Sequence, residues 1–160
     1  MTGIIDDTLT NVSTDAATKF VQSYYRALES NRDSIGTFYD PAPTKLLFNG
    51  NDLANGVTVQ DVLKQELGQV HFEVQSFDCQ IINRAFPTVT PTGVPKAPTQ
   101  MTAKDMSVLV LVSGNVRYGG RDNPQRCFSE TFILVPNASA DRTNAQKEWL
   151  IQSQNFRLVV

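Results

Sequence analysis

The sequence predicts an α+β fold, with three N-terminal helices followed by an antiparallel sheet. Apolar residues recur at three- and four-residue steps within the first 67 of the 160 residues, a spacing typical of helices that bury one face. Long segments with a period of two follow, and no helical pattern separates them. Consecutive strands of this kind favour antiparallel pairing. The chain is therefore expected to form one domain over residues 1–160, a usual domain size.

Three helices are expected. The first begins at Thr14, with Thr14-Asp15 as its N-terminal cap, and ends near Asn31. Its apolar stripe consists of Ala17, Phe20, Val21, Tyr24 and Leu28. The second is short and covers Asp33–Tyr39, before a turn that contains two prolines. The third begins at Thr58 as N-cap and ends at about Leu67.

The strands are expected in the remainder of the chain, after one short strand at Leu46–Phe48. The four long strands are predicted at Phe72–Ile82, Ser107–Tyr118, Cys127–Val135 and Glu148–Val159. Between the first two lies a Pro/Thr-rich loop, residues 84–104, which contains four of the eight prolines. A loop of this length is either functional or disordered, and its composition favours disorder.

The composition excludes several classes of function. A net charge of −2 lacks the basic excess of a phosphate-tracking protein, although residues 1–80 carry −6 and residues 81–160 carry +4. One histidine and two distant cysteines, Cys79 and Cys127, make a zinc site improbable, and no cofactor is expected. The longest apolar run, Val108–Val112, is too short to cross a bilayer. The first residues lack the pattern of a secretory signal, so an intracellular protein with reduced cysteines is expected.

Two predicted strands carry apolar residues on both faces. One face of each strand mixes apolar and polar side chains, and its members are Leu109, Leu111, Ser113, Asn115, Arg117, Ile151, Ser153, Asn155 and Arg157. Either strong curvature covers this face with core, or the face binds another protein, whose contact would be apolar at the centre and polar at the rim. We favour a protein interface. A buried Arg157 would then require a carboxylate from the partner.

A set of short motifs, distributed along nearly the whole chain from Asp15 to Val159, resembles a known family. The motifs are Tyr24-Tyr25, Leu28, Arg32, Phe38-Tyr39, Leu46, Phe48-Asn49-Gly50, Asp78-Cys79-Gln80, Val108–Val116, Phe128–Leu134, Trp149-Leu150-Ile151 and Asn155-Phe156-Arg157. In order and spacing they are similar to the nuclear transport factor 2-like family. More narrowly, they resemble its small NXT-type subunit, part of the heterodimeric nuclear mRNA export receptor in fungi and metazoa.

The resemblance implies a cone-like domain whose strongly curved antiparallel sheet wraps three helices. It implies that the exposed sheet face pairs with the similar domain of a large NXF/TAP-type receptor, and that Arg157 forms an ion pair with an acidic residue there. The family's dimer passes nucleoporins with Phe-Gly repeats and carries messenger ribonucleoprotein, which implies shuttling between nucleus, nuclear pore and cytoplasm. The chain departs from the metazoan pattern in the 84–104 loop and in Phe48, where a tryptophan is usual.

Three alternatives remain open. The chain could be a homodimeric factor that carries the GTPase Ran, as the founding member of the fold does. It could be a small-molecule isomerase or dehydratase, because the fold also hosts enzymes. The candidate catalytic groups are Tyr24, Tyr25, Tyr39, Asp40, His71 and Asp78. Structural roles explain them better, and we expect no enzyme. Finally, Lys96, Lys104, Arg121 and Arg126, with Arg117 and Arg142, could contact RNA or could simply be solvated charges.

Overall fold

The computed structural model describes residues 2–90, 92–139 and 147–160, and for residues 2–5 it describes the backbone alone. Arg142 lies outside these residues. The described residues form two α-helices, α1 (Thr2–Ser30) and α2 (Gly56–Glu66). A 3₁₀ helix at Arg32–Phe38 lies between them, and a second one covers Pro98–Gln100. The three expected N-terminal helices are therefore confirmed, the second of them as a 3₁₀ helix.

Helix α1 begins twelve residues before the predicted start, so the predicted cap at Thr14 is wrong. The reason is that Leu9, five residues before Thr14, is buried and extends the apolar stripe towards the N-terminus. Asp15 lies within the helix, where its carboxylate pairs with the Lys19 ammonium at 2.8 Å. All five residues of the predicted stripe are buried.

The cap of α2 is also not the predicted one. Asn55 is the N-cap, and its Oδ1 accepts hydrogen bonds from the Thr58 amide (2.9 Å) and the Thr58 hydroxyl (3.1 Å). The predicted N-cap, Thr58, is wrong. The side-chain oxygen of Asn55, three residues earlier, accepts the backbone N–H of the first turn as well as a threonine hydroxyl would. The preceding 3₁₀ helix buries Ile35 and Phe38 as predicted, and the adjacent Tyr39 is buried as well.

Six strands form one sheet in the order β2-β1-β6-β5-β4-β3. Their bounds are β1 (Lys45–Phe48), β2 (Asn51–Leu53), β3 (Val70–Asn83), β4 (Ser107–Tyr118), β5 (Gln125–Pro136) and β6 (Trp149–Leu158). The five predicted strands are present, and β2 was not predicted. It pairs with β1 across Asn49-Gly50, which both have positive φ, as a tight hairpin turn requires. Pairing is antiparallel except that β1 runs parallel to β6, so the expectation of an entirely antiparallel sheet is corrected.

Extra residues curve the sheet around the helices. The pairing registers of β3 and β4 shift at Gln75 and Ile82, and those of β5 and β6 shift at Gln152. Such bulges bend a strand and increase its twist. Gly114 lies opposite the first bulge, where a Cβ atom would overlap the Glu73 carbonyl oxygen. This close backbone approach requires a glycine.

Hydrogen bonds connect the described residues of the 84–104 loop to Asp105, and the disorder that composition favours stays a prediction. Asp105, which directly follows the loop and is 2% exposed, organises them. Its carboxylate accepts hydrogen bonds at 2.7 Å from the Thr88 hydroxyl, the Thr102 amide and the Lys96 ammonium. Burial alone would raise the pKa of Asp105, but these bonds outweigh it and lower the pKa to about 2. A buried carboxylate therefore replaces the apolar core that the loop lacks.

Candidate protein-binding face

The helices cover one side of the sheet and leave the other side open. On β4, Val108, Val110 and Val112 point to the helices and are almost completely buried. The residues that alternate with them point away from the helices. We call this second side the open face, and it consists of Leu109, Leu111, Ser113, Asn115 and Arg117 of β4, Cys127, Ser129, Thr131 and Ile133 of β5, and Ser153, Asn155 and Arg157 of β6.

The apolar residues of the open face cluster near the start of β4, and polar residues occupy the rest of the face. Leu109 pairs with Ile133, and the adjacent Leu111 is 41% exposed. Leu109 and Leu111 lie on β4, and Ile133 lies on the adjacent β5. Serine, asparagine and threonine surround them, with Arg157 on β6 and Arg117 near the end of β4. Apolar surface with a polar rim is the composition of a protein contact, and a sheet face uncovered by helices fits that use.

Arg157 is exposed on β6 between buried Phe156 and half-buried Leu158. Its cross-strand neighbour is Ser129. None of the ion pairs between residues 2–90, 92–139 and 147–160 involves Arg157. Its guanidinium can therefore bind a carboxylate of another protein in a bidentate manner.

Arg117 provides a second donor on the same face. Its Nε is buried and has no hydrogen-bond partner within the described part of the chain. A buried donor without an acceptor costs about 1–3 kcal/mol. A docked protein could reach this buried Nε only if the side chain moved, so the missing acceptor does not by itself support an interface at Arg117.

A cavity of about 200 Å³ lies in the open face and was not predicted from the sequence. Ser76, Phe77 and Asp78 of β3 line it together with Leu111 and Ser113. The hydroxyls of Ser76 and Ser113 are 2.7 Å apart. The cavity could have been anticipated only from the register, because the bulge in β3 decides which of its residues face Leu111.

Ile151 is the one predicted interface residue that the structure contradicts. It is completely buried in the core, where it pairs with Leu134. Strict alternation would place Ile151 beside Ser153 on the open face. The bulge at Gln152 adds one residue, however, and reverses the face on which the start of β6 lies.

The four predicted RNA-contacting residues are not brought together. Lys96 and Lys104 form ion pairs at 2.7 Å with Asp105 and Glu148, respectively. Arg126 is exposed at the start of β5, and Arg121 is exposed in the turn before it. These two arginines lie at one end of β4 and Lys104 precedes the other end, a separation of roughly 35 Å along a strand of this length.

The candidate catalytic tyrosines form a buried hydrogen-bond network, and its centre is an acid that was not predicted, Glu130. The Tyr25 hydroxyl donates to one Glu130 oxygen and the Gln154 amide donates to the other, both at 2.5 Å. The Gln154 amide also donates to the Tyr24 hydroxyl (2.8 Å), and the Tyr39 hydroxyl donates to the Gln154 carbonyl (2.5 Å).

Burial raises the pKa of Glu130 to about 7, even though both hydrogen bonds favour the ionised form. Burial also raises the pKa of Tyr24, Tyr25 and Tyr39. The hydroxyl groups of these tyrosines are all satisfied within the network, which fits their predicted structural role.

The other three catalytic candidates lie apart from this network. The Asp40 carboxylate accepts a hydrogen bond from the Ala42 amide and so stabilises a turn (2.8 Å). His71 Nδ1 lies 3.2 Å from Glu29 Oε1. Asp78 is exposed and lines the cavity in the open face. Together they do not form an acid–base site.

Within residues 2–90, 92–139 and 147–160, no cluster of three or more His, Cys, Asp or Glu side chains could hold a metal ion. None of the helices in this part of the chain is long and apolar enough to cross a membrane.

Comparison with known proteins identifies the family of this fold. Residues 16–158 match the model of the nuclear transport factor 2 (NTF2) domain. The chain belongs to this family. It is 30% identical over 142 residues to NTF2-related export protein 1 of Bos taurus, which covers 89% of this chain and 85% of the relative. It is 28% identical over 146 residues to nuclear transport factor 2 of Oryza sativa, with 90% of this chain and 95% of the relative covered.

A solved structure of the Chaetomium thermophilum Mex67 NTF2-like domain complexed with Mtr2 has the same fold. One of its chains superposes with a TM-score of 0.74 at 24% identity, covering 92% of this chain and 98% of that one. These comparisons confirm the predicted family and its curved α+β fold. The Bos taurus relative, at 30% identity, is named as an export protein and not as an enzyme.

Proposed function

We propose that this NTF2-domain protein is the non-catalytic small subunit of a nuclear mRNA export receptor. Its open face would bind the NTF2-like domain of a large NXF/TAP-type subunit. The observation that carries the proposal is the apolar cluster of Leu109, Leu111 and Ile133 on the same face as exposed Arg157, which forms no ion pair among the described residues. The complex between Mtr2 and the Mex67 NTF2-like domain supports it, because a chain of that complex shares this fold.

The role of the complex follows from this assignment. The heterodimer would pass through the nuclear pore by contacting Phe-Gly repeats of nucleoporins and would carry messenger ribonucleoprotein from nucleus to cytoplasm. Contact with RNA would come through the complex. The ion pairs of Lys96 and Lys104 favour solvated or structural charges over a direct RNA site on this subunit.

Substitution of Arg157 tests the proposal. Arg157→Asp should weaken binding to the NTF2-like domain of the large subunit by at least tenfold. The substitution replaces the guanidinium with a carboxylate, which would repel the carboxylate that the large subunit is expected to place opposite it. Arg26→Asp is the matched control, since Arg26 is exposed on α1, on the helix-covered side of the sheet. Binding is measured by calorimetry and folding by circular dichroism. Equal affinity of the two variants would contradict the proposed interface.

A homodimeric factor that carries Ran is the second candidate, supported by the similarity to a nuclear transport factor 2. It requires self-association through the same face. Sedimentation of the chain alone and with the large subunit's domain separates the two. A stable self-dimer that ignores this domain would favour the second candidate.

A further inference from the structure

Asp78 lies on β3, directly beside the apolar cluster of the open face. Its cross-strand neighbour is Leu111, so both residues lie on the side of the sheet that points away from the helices. The Asp78 side chain is exposed. Its Oδ1 accepts a hydrogen bond from the Cys79 amide at 2.8 Å. Its Oδ2 has no hydrogen-bond or ion-pair partner within the described part of the chain.

The position of Asp78 restricts which protein can cover the apolar cluster. A partner seated on Leu111 would also remove the adjacent Asp78 carboxylate from water. Burial of an ion without a counter-charge is strongly unfavourable. The partner must therefore place a cation opposite Asp78, just as it must place a carboxylate opposite Arg157.

The cavity beside Asp78 fits the kind of side chain that supplies such a cation. Phe77 and Leu111 contribute apolar walls, and three serines contribute hydroxyl groups, namely Ser76, Ser113 and Ser129. Lysine and arginine carry a charged group at the end of an apolar stem, which lies well along apolar surface. The cavity has a volume of about 200 Å³. A cavity of about 150 Å³ in another protein holds benzene, so the stem of a long side chain fits this space.

The strand register places Asp78 and Arg157 on opposite sides of the apolar cluster. Asp78 is in line with Leu111 of β4, Thr131 of β5 and Asn155 of β6, and Arg157 lies two residues further along β6. Three strand spacings are about 14 Å and two residues are about 7 Å, so the two positions are roughly 16 Å apart along the sheet. The partner is therefore expected to carry opposite charges on two sides of its own contact surface.

We propose that this cavity receives a lysine or arginine side chain of the large subunit's NTF2-like domain, which pairs with the free oxygen of Asp78. The inference rests on the proposed function and adds a second charged contact, opposite in sign to that of Arg157. Two contacts of opposite sign determine the orientation of the partner. Rotation of the partner by half a turn would bring like charges together at both positions.

Asp78→Asn tests the contact, because it removes the charge and keeps the shape of the side chain. It should weaken binding to the large subunit's domain at least fivefold in calorimetry, with the fold verified by circular dichroism. Asp61→Asn is the matched control and should leave the affinity unchanged, since Asp61 is exposed on α2, on the helix-covered side of the sheet. Ser76→Leu fills the cavity without a change of charge and should weaken binding at least tenfold.

A double charge reversal distinguishes the large subunit from a second copy of this chain. Asp78→Arg and Arg157→Asp should each weaken binding to the large subunit's domain at least tenfold. The double variant should lose the product of the two factors, because the effects of sites this far apart are usually additive. In a symmetric self-dimer that pairs Asp78 with Arg157 of the second copy, the double variant would restore both pairs. Restored self-association in sedimentation would therefore overturn the proposal.

The outcomes separate this inference from the proposed function. If Arg157→Asp weakens binding while Asp78→Asn and Ser76→Leu do not, this inference is wrong and the proposed function stands. If the wild-type chain does not bind the large subunit's domain, the proposed function is wrong and the inference fails with it. An equal loss of affinity for Asp61→Asn would also overturn the inference, because the effect would then follow net charge. If Asp78→Asn does not fold, Ser76→Leu decides alone.

Discussion

Replacement of Glu130 by glutamine should make the protein more stable above neutral pH. Glu130 is 1% exposed, and burial raises its pKa from 4.5 to about 7. A group with a raised pKa in the folded state binds its proton more tightly there than in the unfolded chain. Stability from this group is therefore complete below pH 4.5 and is lost as the pH rises through 7. The difference between the two pKa values corresponds to about 3 kcal/mol of unfolding free energy.

Glutamine suits this position because it imitates the protonated carboxyl group. Its carbonyl oxygen can accept the hydrogen bond from the Gln154 amide, and its own amide can donate to the Tyr25 hydroxyl, which accepts as well as donates. Glu130→Gln should therefore match the wild-type protein near pH 4.5 and exceed its unfolding free energy by up to about 3 kcal/mol at pH 8.

Urea denaturation of both proteins between pH 4.5 and pH 8 measures this difference. Glu66→Gln serves as the control, because Glu66 is exposed on α2 and surface substitutions usually change stability little. The reasoning is refuted if the difference between Glu130→Gln and wild type is the same at pH 5 and pH 8. It is also refuted if the wild-type protein is the more stable of the two at pH 8.

Two further substitutions test how the loop and the bulge are held. Asp105→Asn should lower the unfolding free energy by about 2 kcal/mol at pH 7, because it removes a buried carboxylate that accepts four hydrogen bonds. Limited proteolysis should then cut the 84–104 loop faster, and unchanged cutting would show that Asp105 does not hold it. Gly114→Ala should lower the unfolding free energy by about 2–3 kcal/mol, since its methyl group would overlap backbone at the β3 bulge. Gly68→Ala is its control, because a Cβ atom there meets nothing within 4 Å, and equal urea midpoints for the two variants would contradict the close approach.

The elements were predictable where one pattern continued without interruption. Strand β4 has the predicted bounds because every second residue from Val108 to Val116 is buried and the residues between them are not. Helix α2 was placed one turn too late because Asn55 and Thr58 are both good caps and local sequence does not choose between them. The parallel pairing of β1 with β6 depends on contacts between residues about 100 positions apart, which a local period does not report.

The candidate site was partly predictable for the same reason. The alternation of β4 placed Leu109, Leu111 and Arg117 on one face correctly. Glu130 was missed although its position carried a signal: it lies at even spacing between Phe128 and Phe132, which are both buried. The alternation alone would have placed this acid in the core. A buried acid is costly unless it is hydrogen-bonded, and the groups that satisfy it come from α1 and β6, far away in sequence.

The bulge at Gln152 explains how β6 can serve both sides of the sheet. In a regular strand, Ile151 would lie on the same face as Ser153, Asn155 and Arg157. The extra residue instead allows Ile151 and Gln154 both to face the helices, where each is almost completely buried. The Gln154 side chain then forms hydrogen bonds with Tyr24, Tyr39 and Glu130 in the core, while Arg157 still points outwards. The same strand therefore holds the buried network together and presents the proposed partner-binding arginine, so changes in the register of β6 would disturb both.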